Sequence, residues 1–266
     1  MTSSSYRMTM SALAAAVAVG AGSVRAEEAE ASAALDVSAL SAYVWRGQVL
    51  NDEAVLQPSL TVGKGGFSLN WWANAALTDA TTGDSGEFTE HDIGISYAFT
   101  CPITGAGVTL GLVNYDFPNQ SLTDTNGAVN GLVADTTEAY VILGFGDVIL
   151  APTLSVYYDF KEVEGFYGNL GVSHSFELSD KAALNASASV GYASADYNSF
   201  YFGTDDDALN DANIGLTVPF TVTESLTITP GVQYTWLLDN DIEDGAEGLY
   251  KDTEQVVGSI KASYAF

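Results

Sequence analysis

The chain has 266 residues, with 34 acidic against 8 basic side chains, 47% hydrophobic and 11% aromatic composition, and only 16% charged residues. That much apolar and aromatic surface excludes a disordered acidic chain, and a net charge of −26 argues against nucleic acid as a partner, because phosphate binding needs clustered Lys and Arg. A single cysteine, Cys101, rules out an internal disulfide and a Cys-rich zinc centre.

Residues 1–26 read as a secretory signal peptide. Arg7 supplies the positive start, Ser11 to Gly22 is a short run rich in Ala and Val, and Val24-Arg25-Ala26 offers a small-x-small cleavage site. The run falls short of the ~20 residues that span a bilayer as a helix. Its removal takes away two arginines and no acid, leaving a net charge of −28. Residues 27–34, with Glu27, Glu28 and Glu30, form a short polar lead-in, and 35–266 form one β domain.

From there the pattern has a period of two. It predicts strands near 35–47, 54–64, 66–77, 88–99, 106–117, 136–146, 148–160, 165–178, 181–193, 208–220, 223–237 and 254–266. Phe67, Leu69, Trp71, Ala73, Ala75 and Leu77 alternate with Ser68, Asn70, Trp72 and Asn74. Leu184, Ala186, Ala188, Val190 and Tyr192 alternate with Asn185, Ser187 and Ser189. The last strand sets Val256, Gly258, Ile260, Ala262, Tyr264 and Phe266 against Gln255, Ser259, Lys261 and Ser263. Successive strand side chains point to opposite faces, so each strand has one greasy and one wet side. Connections are short at Lys64-Gly65-Gly66, 100–105, Asp147, Ser179-Asp180 and Thr221-Val222. Around 48–53, 78–87, 118–135, 161–164, 194–207 and 238–253 they are mostly longer and polar. The expectation is an all-β transmembrane antiparallel barrel of about 12 strands with short periplasmic turns and long extracellular loops.

A soluble β-sandwich would alternate too. Two features separate the cases. Aromatic residues collect near strand ends, at Tyr43, Trp45, Tyr97, Phe99, Phe176, Tyr192, Phe220, Tyr234, Trp236, Tyr264 and Phe266, as two interfacial girdles require. The polar face is built from Ser, Thr, Asn and Gln with few charges, as suits a wet lumen. Pro58, Pro152 and Pro230 fall inside expected strands, and the segment 106–117 changes phase between Leu112 and Val113; bulges are expected at all four places. A faint repeat links Gly94 to Phe99, Gly171 to Phe176 and Ala262 to Phe266, which shared girdle chemistry explains more simply than duplication.

A chain ending in Tyr264-Ala265-Phe266 on an alternating strand resembles the C-terminal signature of bacterial outer-membrane proteins. The opening Tyr43-Val44-Trp45-Arg46-Gly47 is similar to the Tyr-x-x-Arg-Gly start of the TorF-like porin family, and Ala151 to Phe160 has a similar flavour. The resemblance implies a Gram-negative outer-membrane barrel, a porin, whose terminal strand ending in Phe266 is recognised by the barrel-assembly machinery. It brings no substrate and no catalytic residue.

Outer-membrane barrels include enzymes, many of which need a positioned histidine. His91 and His174 share the face of apolar neighbours and point toward lipid or the interface, and His174-Ser175 cannot form a dyad because adjacent strand residues diverge. No enzymatic activity, cofactor or dedicated metal site is expected. Asp239 to Gly245 nearly matches a calcium loop, with its Gly one position late; Asp205-Asp206-Asp207 lacks that Gly, and Asp124-Thr125-Asn126-Gly127 departs from the pattern too. Cys101 reads as a lone thiol.

Lumen-facing charges in this frame are Asp36, Arg46, Glu90, Asp92, Glu138, Asp159, Asp211 and Lys261. The outer loops add acids including Asp79, Asp84, Glu87, Asp124 and Asp135. A vestibule of one sign concentrates counterions. The expected function is passive diffusion of small cationic or neutral polar solutes through an outer-membrane channel in contact with lipid. The alternative is a non-conducting structural or adhesion-type barrel. Arg46 is placed at the outer end of the first strand, either bracing the wall or narrowing the pore.

Overall fold

In the computed structural model the described residues are 31–78, 85–118, 121–123, 129–132, 134–247 and 249–266. The signal peptide expected at 1–26, the loop acids Asp79, Asp84 and Asp124, and the loop motif 124–127 lie outside them. Period-two patterning becomes β1 (Ser32–Leu40), followed by a small hairpin of β2 (Tyr43–Trp45) and β3 (Gln48–Asn51). Next come β4 (Val55–Lys64), β5 (Phe67–Ala76), β6 (Phe88–Thr100) and β7 (Gly107–Asp116). A second small hairpin pairs β8 (Ser121–Thr123) with β9 (Val129–Leu132). Strands β10 (Thr136–Gly144), β11 (Thr153–Asp159), β12 (Phe166–Ser179) and β13 (Ala182–Ala193) lead to helix α1 (Ala195–Phe202). The remaining elements are β14 (Ala208–Thr217), the short β15 (Phe220–Thr221), β16 (Leu226–Leu237), helix α2 (Asn240–Ala246) and β17 (Glu254–Ala265).

Consecutive wall strands pair antiparallel, and β1 closes on β17 from Ala34↔Ala265 to Leu40↔Ser259. The ring is a closed barrel of 12 strands: β1, β4 to β7, β10 to β14, β16 and β17. Closure leaves the wall, among the described residues, without an edge strand, which is what a strand protein needs in hydrocarbon. The outer surface is a band of exposed Leu69, Ile93, Ile95, Leu112, Leu170, Ile214, Leu216, Val256 and Ile260. A greasy surface this continuous is untenable in water and is the expected exterior of a lipid-embedded barrel. At the short-turn end Phe67 and Tyr97 pack at 4.6 Å and Tyr264 and Phe266 at 5.0 Å; at the long-loop end Phe166 and Tyr192 lie 6.0 Å apart and Tyr234 and Trp236 5.1 Å apart.

Several local expectations are corrected. β1 begins at Ser32, so the end of the 27–34 lead-in belongs to the wall, and it stops at Leu40 rather than running to 47. Residues 43–45 leave the wall for the hairpin, and Tyr43, expected in a girdle, is 4% exposed inside the barrel. The one-residue turn expected at Asp147 is instead the stretch 145–152, which holds Pro152 outside any strand and is closed by Val148 N–H to the Phe145 carbonyl (3.0 Å) and Ala151 N–H to the Val148 carbonyl (2.9 Å). Pro58 and Pro230 need no bulge: pairing of β4 with β5 lapses between Leu56 and Ser59, that of β16 with β14 and β15 lapses between Gly231 and Ile228, and register is kept across both gaps. Segment 106–117 has no bulge either, since β7 keeps one register with both neighbours. Its phase change is a change of surroundings: Val113 and Tyr115 stay on the inward face, which turns apolar where the hairpin fills the lumen.

Candidate functional site

The hairpin β2–β3 is the feature that organises the lumen. Arg46 (φ 50°) and Gly47 (φ 82°) both have left-handed backbones between paired Trp45 and Gln48, as in a two-residue type I′ turn. For Arg46 that conformation is costly, by about 1–2 kcal/mol, so the tip must be held by its contacts. A Cβ on Gly47 would lie 2.6 Å from Leu237 Cδ2 and 2.9 Å from Asp211 Cβ, so the turn presses against β14 and β16. Arg46 itself reaches β10, where Nη1 and Nη2 donate to Glu138 Oε1 and Oε2, each at 2.7 Å. In the ring order β11 stands opposite β1. A hairpin springing from the β1–β4 junction therefore crosses the full width of the barrel.

Aromatic rings surround the guanidinium. Its Cζ lies 4.4 Å from the Trp45 ring centroid, 4.5 Å from those of Tyr157 and Tyr167, and 5.8 Å from that of Tyr197. Contacts of this kind contribute about 0.5–2 kcal/mol each, more where water is excluded. The Tyr115 hydroxyl donates to Glu138 Oε2 at 2.8 Å. Side-chain exposure of 8% for Arg46 and 3% for Glu138 makes the pair a buried one, whose geometry must offset desolvation.

Two short helices cover the hairpin. Ser194 caps α1 by accepting from Tyr197 N–H, and Asp239 caps α2 by accepting from Asp241 and Ile242 N–H. Tyr197, Phe202 and Ile242 are fully buried beneath them. Tyr250 ties the lid to the hairpin, its hydroxyl lying 2.7 Å from Gln48 Oε1 and 2.8 Å from the Tyr201 carbonyl. Burial pushes the hydroxyls of Tyr197, Tyr201 and Tyr250 up, so they stay neutral.

Six of the eight charges expected in the lumen meet around this hairpin. Glu90 Oε2 accepts from the Tyr43 hydroxyl at 2.8 Å, and Asp92 faces the interior two residues further along β6. Asp159 accepts from Thr136 Oγ1 at 2.5 Å and from the backbone N–H groups of Lys161, Glu162 and Val163. Asp211 accepts from the Tyr167 hydroxyl and Asn213 Nδ2, both at 2.8 Å. With Arg46 and Glu138 these make five carboxyl groups and one cation, all buried. Asp36 and Lys261 stand apart in the short-turn half, where Ser263 donates to Asp36 and Lys261 sits opposite Ser38 and Thr229. Between the two groups the inner wall carries half-buried Asn169, Ser187, Ser189, Asn213 and Gln233. Outside, the exposed pair Lys161–Asp135 at 2.8 Å holds the Asp135 carboxyl below its usual range.

Arg46 lies at the hairpin tip inside the barrel rather than on the first strand. The ring of Trp45, Tyr115, Tyr157, Tyr167 and Tyr197 was not anticipated. Its trace in the sequence is that Tyr157 shares the parity of Ser155 and Asp159, and Tyr167 that of Asn169, near outer strand ends. The histidines face outward: His91 stacks on Trp71 at 6.0 Å and meets Phe88 at 4.9 Å, and His174 is exposed beside Phe176. The stretch expected as a near-miss calcium loop is helix α2 with its cap.

A family model described as a bacterial protein of unknown function, Gcw_chp, matches residues 26–262, and the chain belongs to that family. Among solved structures the fold is similar to the KdgM porin, at 10% identity and TM-score 0.51 over 88% of this chain and 99% of that one. It is similar also to the KdgM porin in complex with disordered oligogalacturonate, at 9% identity and TM-score 0.52 over the same shares, 88% and 99%. An outer membrane channel from Pseudomonas putida F1 aligns over 92% of this chain and 100% of that one, at 9% identity and TM-score 0.49. No curated protein matches the sequence. At these identities the likeness is one of fold.

Proposed function

We propose that this member of the Gcw_chp family is an outer-membrane channel for passive diffusion of small solutes, with a constriction formed by the β2–β3 hairpin. Residues 1–26 serve as the signal peptide, the short turns face the periplasm, and the terminal strand ending in Phe266 is read by the barrel-assembly machinery. The barrel exterior contacts outer-membrane lipid, and the interior carries the solute. The reading rests most on one observation: a polar lumen crossed by a hairpin whose tip, Arg46, is clamped by Glu138. Asp36, Arg46, Glu90, Asp92, Glu138, Asp159, Asp211 and Lys261 line the path in this account. Their excess of carboxylates favours cationic or neutral polar solutes, because a low-dielectric wall with one sign of charge concentrates counterions.

The tight packing of Tyr197, Phe202 and Ile242 under the helices favours a second reading, a non-conducting barrel whose acidic loops are displayed outward. Planar-bilayer recording of the purified protein separates the two. The channel reading predicts discrete conductance steps; silence across salt and voltage would leave the structural role. Replacing His91 and His174 should change neither outcome, which sets both readings apart from a histidine-dependent enzyme.

A further inference from the structure

The cation of the hairpin, Arg46, pairs with Glu138, and other carboxyl groups lie beside the hairpin without one. Glu90 and Asp92 lie two residues apart on the inward face of β6, buried to 3% and 7% exposure. A register shift between Asn74 and Ala75 brings Thr89 and Glu90 together opposite Asn74, so that Thr89, Glu90 and Asp92 are all buried on the same stretch of wall. Such irregularities re-aim side chains at functional places. Around the pair the partners are neutral: Gln57 Nε2 donates to Asn74 Oδ1 at 3.0 Å, Asn74 Nδ2 to Thr89 Oγ1 at 2.8 Å, and the Tyr43 hydroxyl to Glu90 Oε2 at 2.8 Å. The cation of the region, Arg46, is spent on Glu138. Asp92 Oδ1 is left buried with no hydrogen-bond partner. A buried carboxylate oxygen without a donor is costly, and two adjacent carboxylates without a cation cost more.

We propose that Glu90 and Asp92 bind a hard cation, of the alkali or alkaline-earth class, on the inward face of β6 beside Tyr43 of the hairpin. Two carboxylates and neutral oxygens make a site of modest charge; among the described residues no set of three or more His, Cys, Asp or Glu forms a metal-binding group. Water would complete the coordination of an ion held by two carboxylates. A weak site of this kind suits a path on which ions must enter and also leave. The site depends on the charge of the lumen and not on conduction, so a barrel that passes no current would still bind the ion.

Trp72 provides the readout. It is directly paired with Asp92 across β5 and β6, and its ring lies 5.8 Å from that of Tyr43. Terbium added to the purified barrel in detergent should show luminescence sensitised by tryptophan excitation and displaced by calcium. Asp92→Asn and Glu90→Gln should each weaken terbium binding by about tenfold or more, because affinity for hard cations follows ligand charge count. Trp72→Phe should remove most of the sensitised signal while leaving calcium binding by calorimetry intact. Variants that bind terbium as the unaltered protein does would overturn the proposal and assign the signal to the acidic loops. Absence of binding to a folded barrel at neutral pH would overturn it as well, leaving a carboxyl pair that shares a proton.

Discussion

Glu138→Gln is the substitution that should expose the work of the Arg46 clamp. It keeps the shape of the side chain and one acceptor oxygen, but leaves a buried guanidinium without its counter-charge. Breaking one side of a buried pair costs about 3–5 kcal/mol. The rings of Trp45, Tyr157, Tyr167 and Tyr197 remain around Arg46 and hold the loss toward the lower figure. At about 1.4 kcal/mol per tenfold, the docked hairpin then loses roughly a hundredfold in population relative to undocked forms. The wall should be untouched, because β2 and β3 pair with each other and form no part of its ladder. Amide hydrogen exchange over 43–51 should therefore accelerate while exchange in β4 to β7 stays constant, and single-channel conductance should rise. The double variant Arg46→Met with Glu138→Leu replaces the pair by apolar groups and should restore slow exchange, since buried pairs are often matched or exceeded by hydrophobic replacements. Unchanged exchange over 43–51 in Glu138→Gln would refute the idea that the ion pair docks the hairpin.

Gly47→Ala should undock the hairpin by a different route, because the added Cβ meets Leu237 and Asp211 and the backbone φ is 82°; faster exchange over 43–51 is the readout. Cys101 sits in a short turn, and hydrogen bonds from the Thr104 side chain and the Thr104 and Ile103 backbone lower its thiol pKa. A bulky maleimide should label it only after the outer membrane is opened, and Thr104→Ala should slow that reaction near neutral pH. Lys161 lowers the Asp135 pKa, so the pair's contribution is present at neutral pH and disappears as pH falls through that lowered value. Because both groups are exposed, Lys161→Ala should return the Asp135 carboxyl resonance toward its ordinary titration without a measurable change in thermal unfolding.

The wall of the barrel was legible because membrane strands are read through a strict alternation, and Phe67 to Leu77 or Val256 to Phe266 obey it on both faces. The girdle residues Tyr97, Phe176 and Tyr264 declare themselves for the same reason. Alternation says nothing once a segment leaves the wall. Tyr43 and Trp45 have the spacing of lipid-facing residues, and nothing local marks that the strand has ended at Leu40. What ends it is tertiary: the barrel has room for a hairpin, and Arg46 finds its counter-charge 92 residues away on β10. Gln48 meets its partner in Tyr250 across 202 residues, and α1 and α2 are held as much by packing onto Trp45 and Phe202 as by their caps. The prolines misled for a related reason. Pro58 and Pro230 lack a donor on one side of the ladder, and a gap in pairing there absorbs the loss without shifting register.

A membrane barrel whose acidic interior carries cations past a docked hairpin must select for cations, and its reversal potential measures that selectivity. The purified protein, reconstituted in a planar bilayer between unequal potassium chloride solutions, should reverse at a potential of the sign set by potassium. Reversal at the chloride side, or a barrel that inserts and carries no current, would contradict the account.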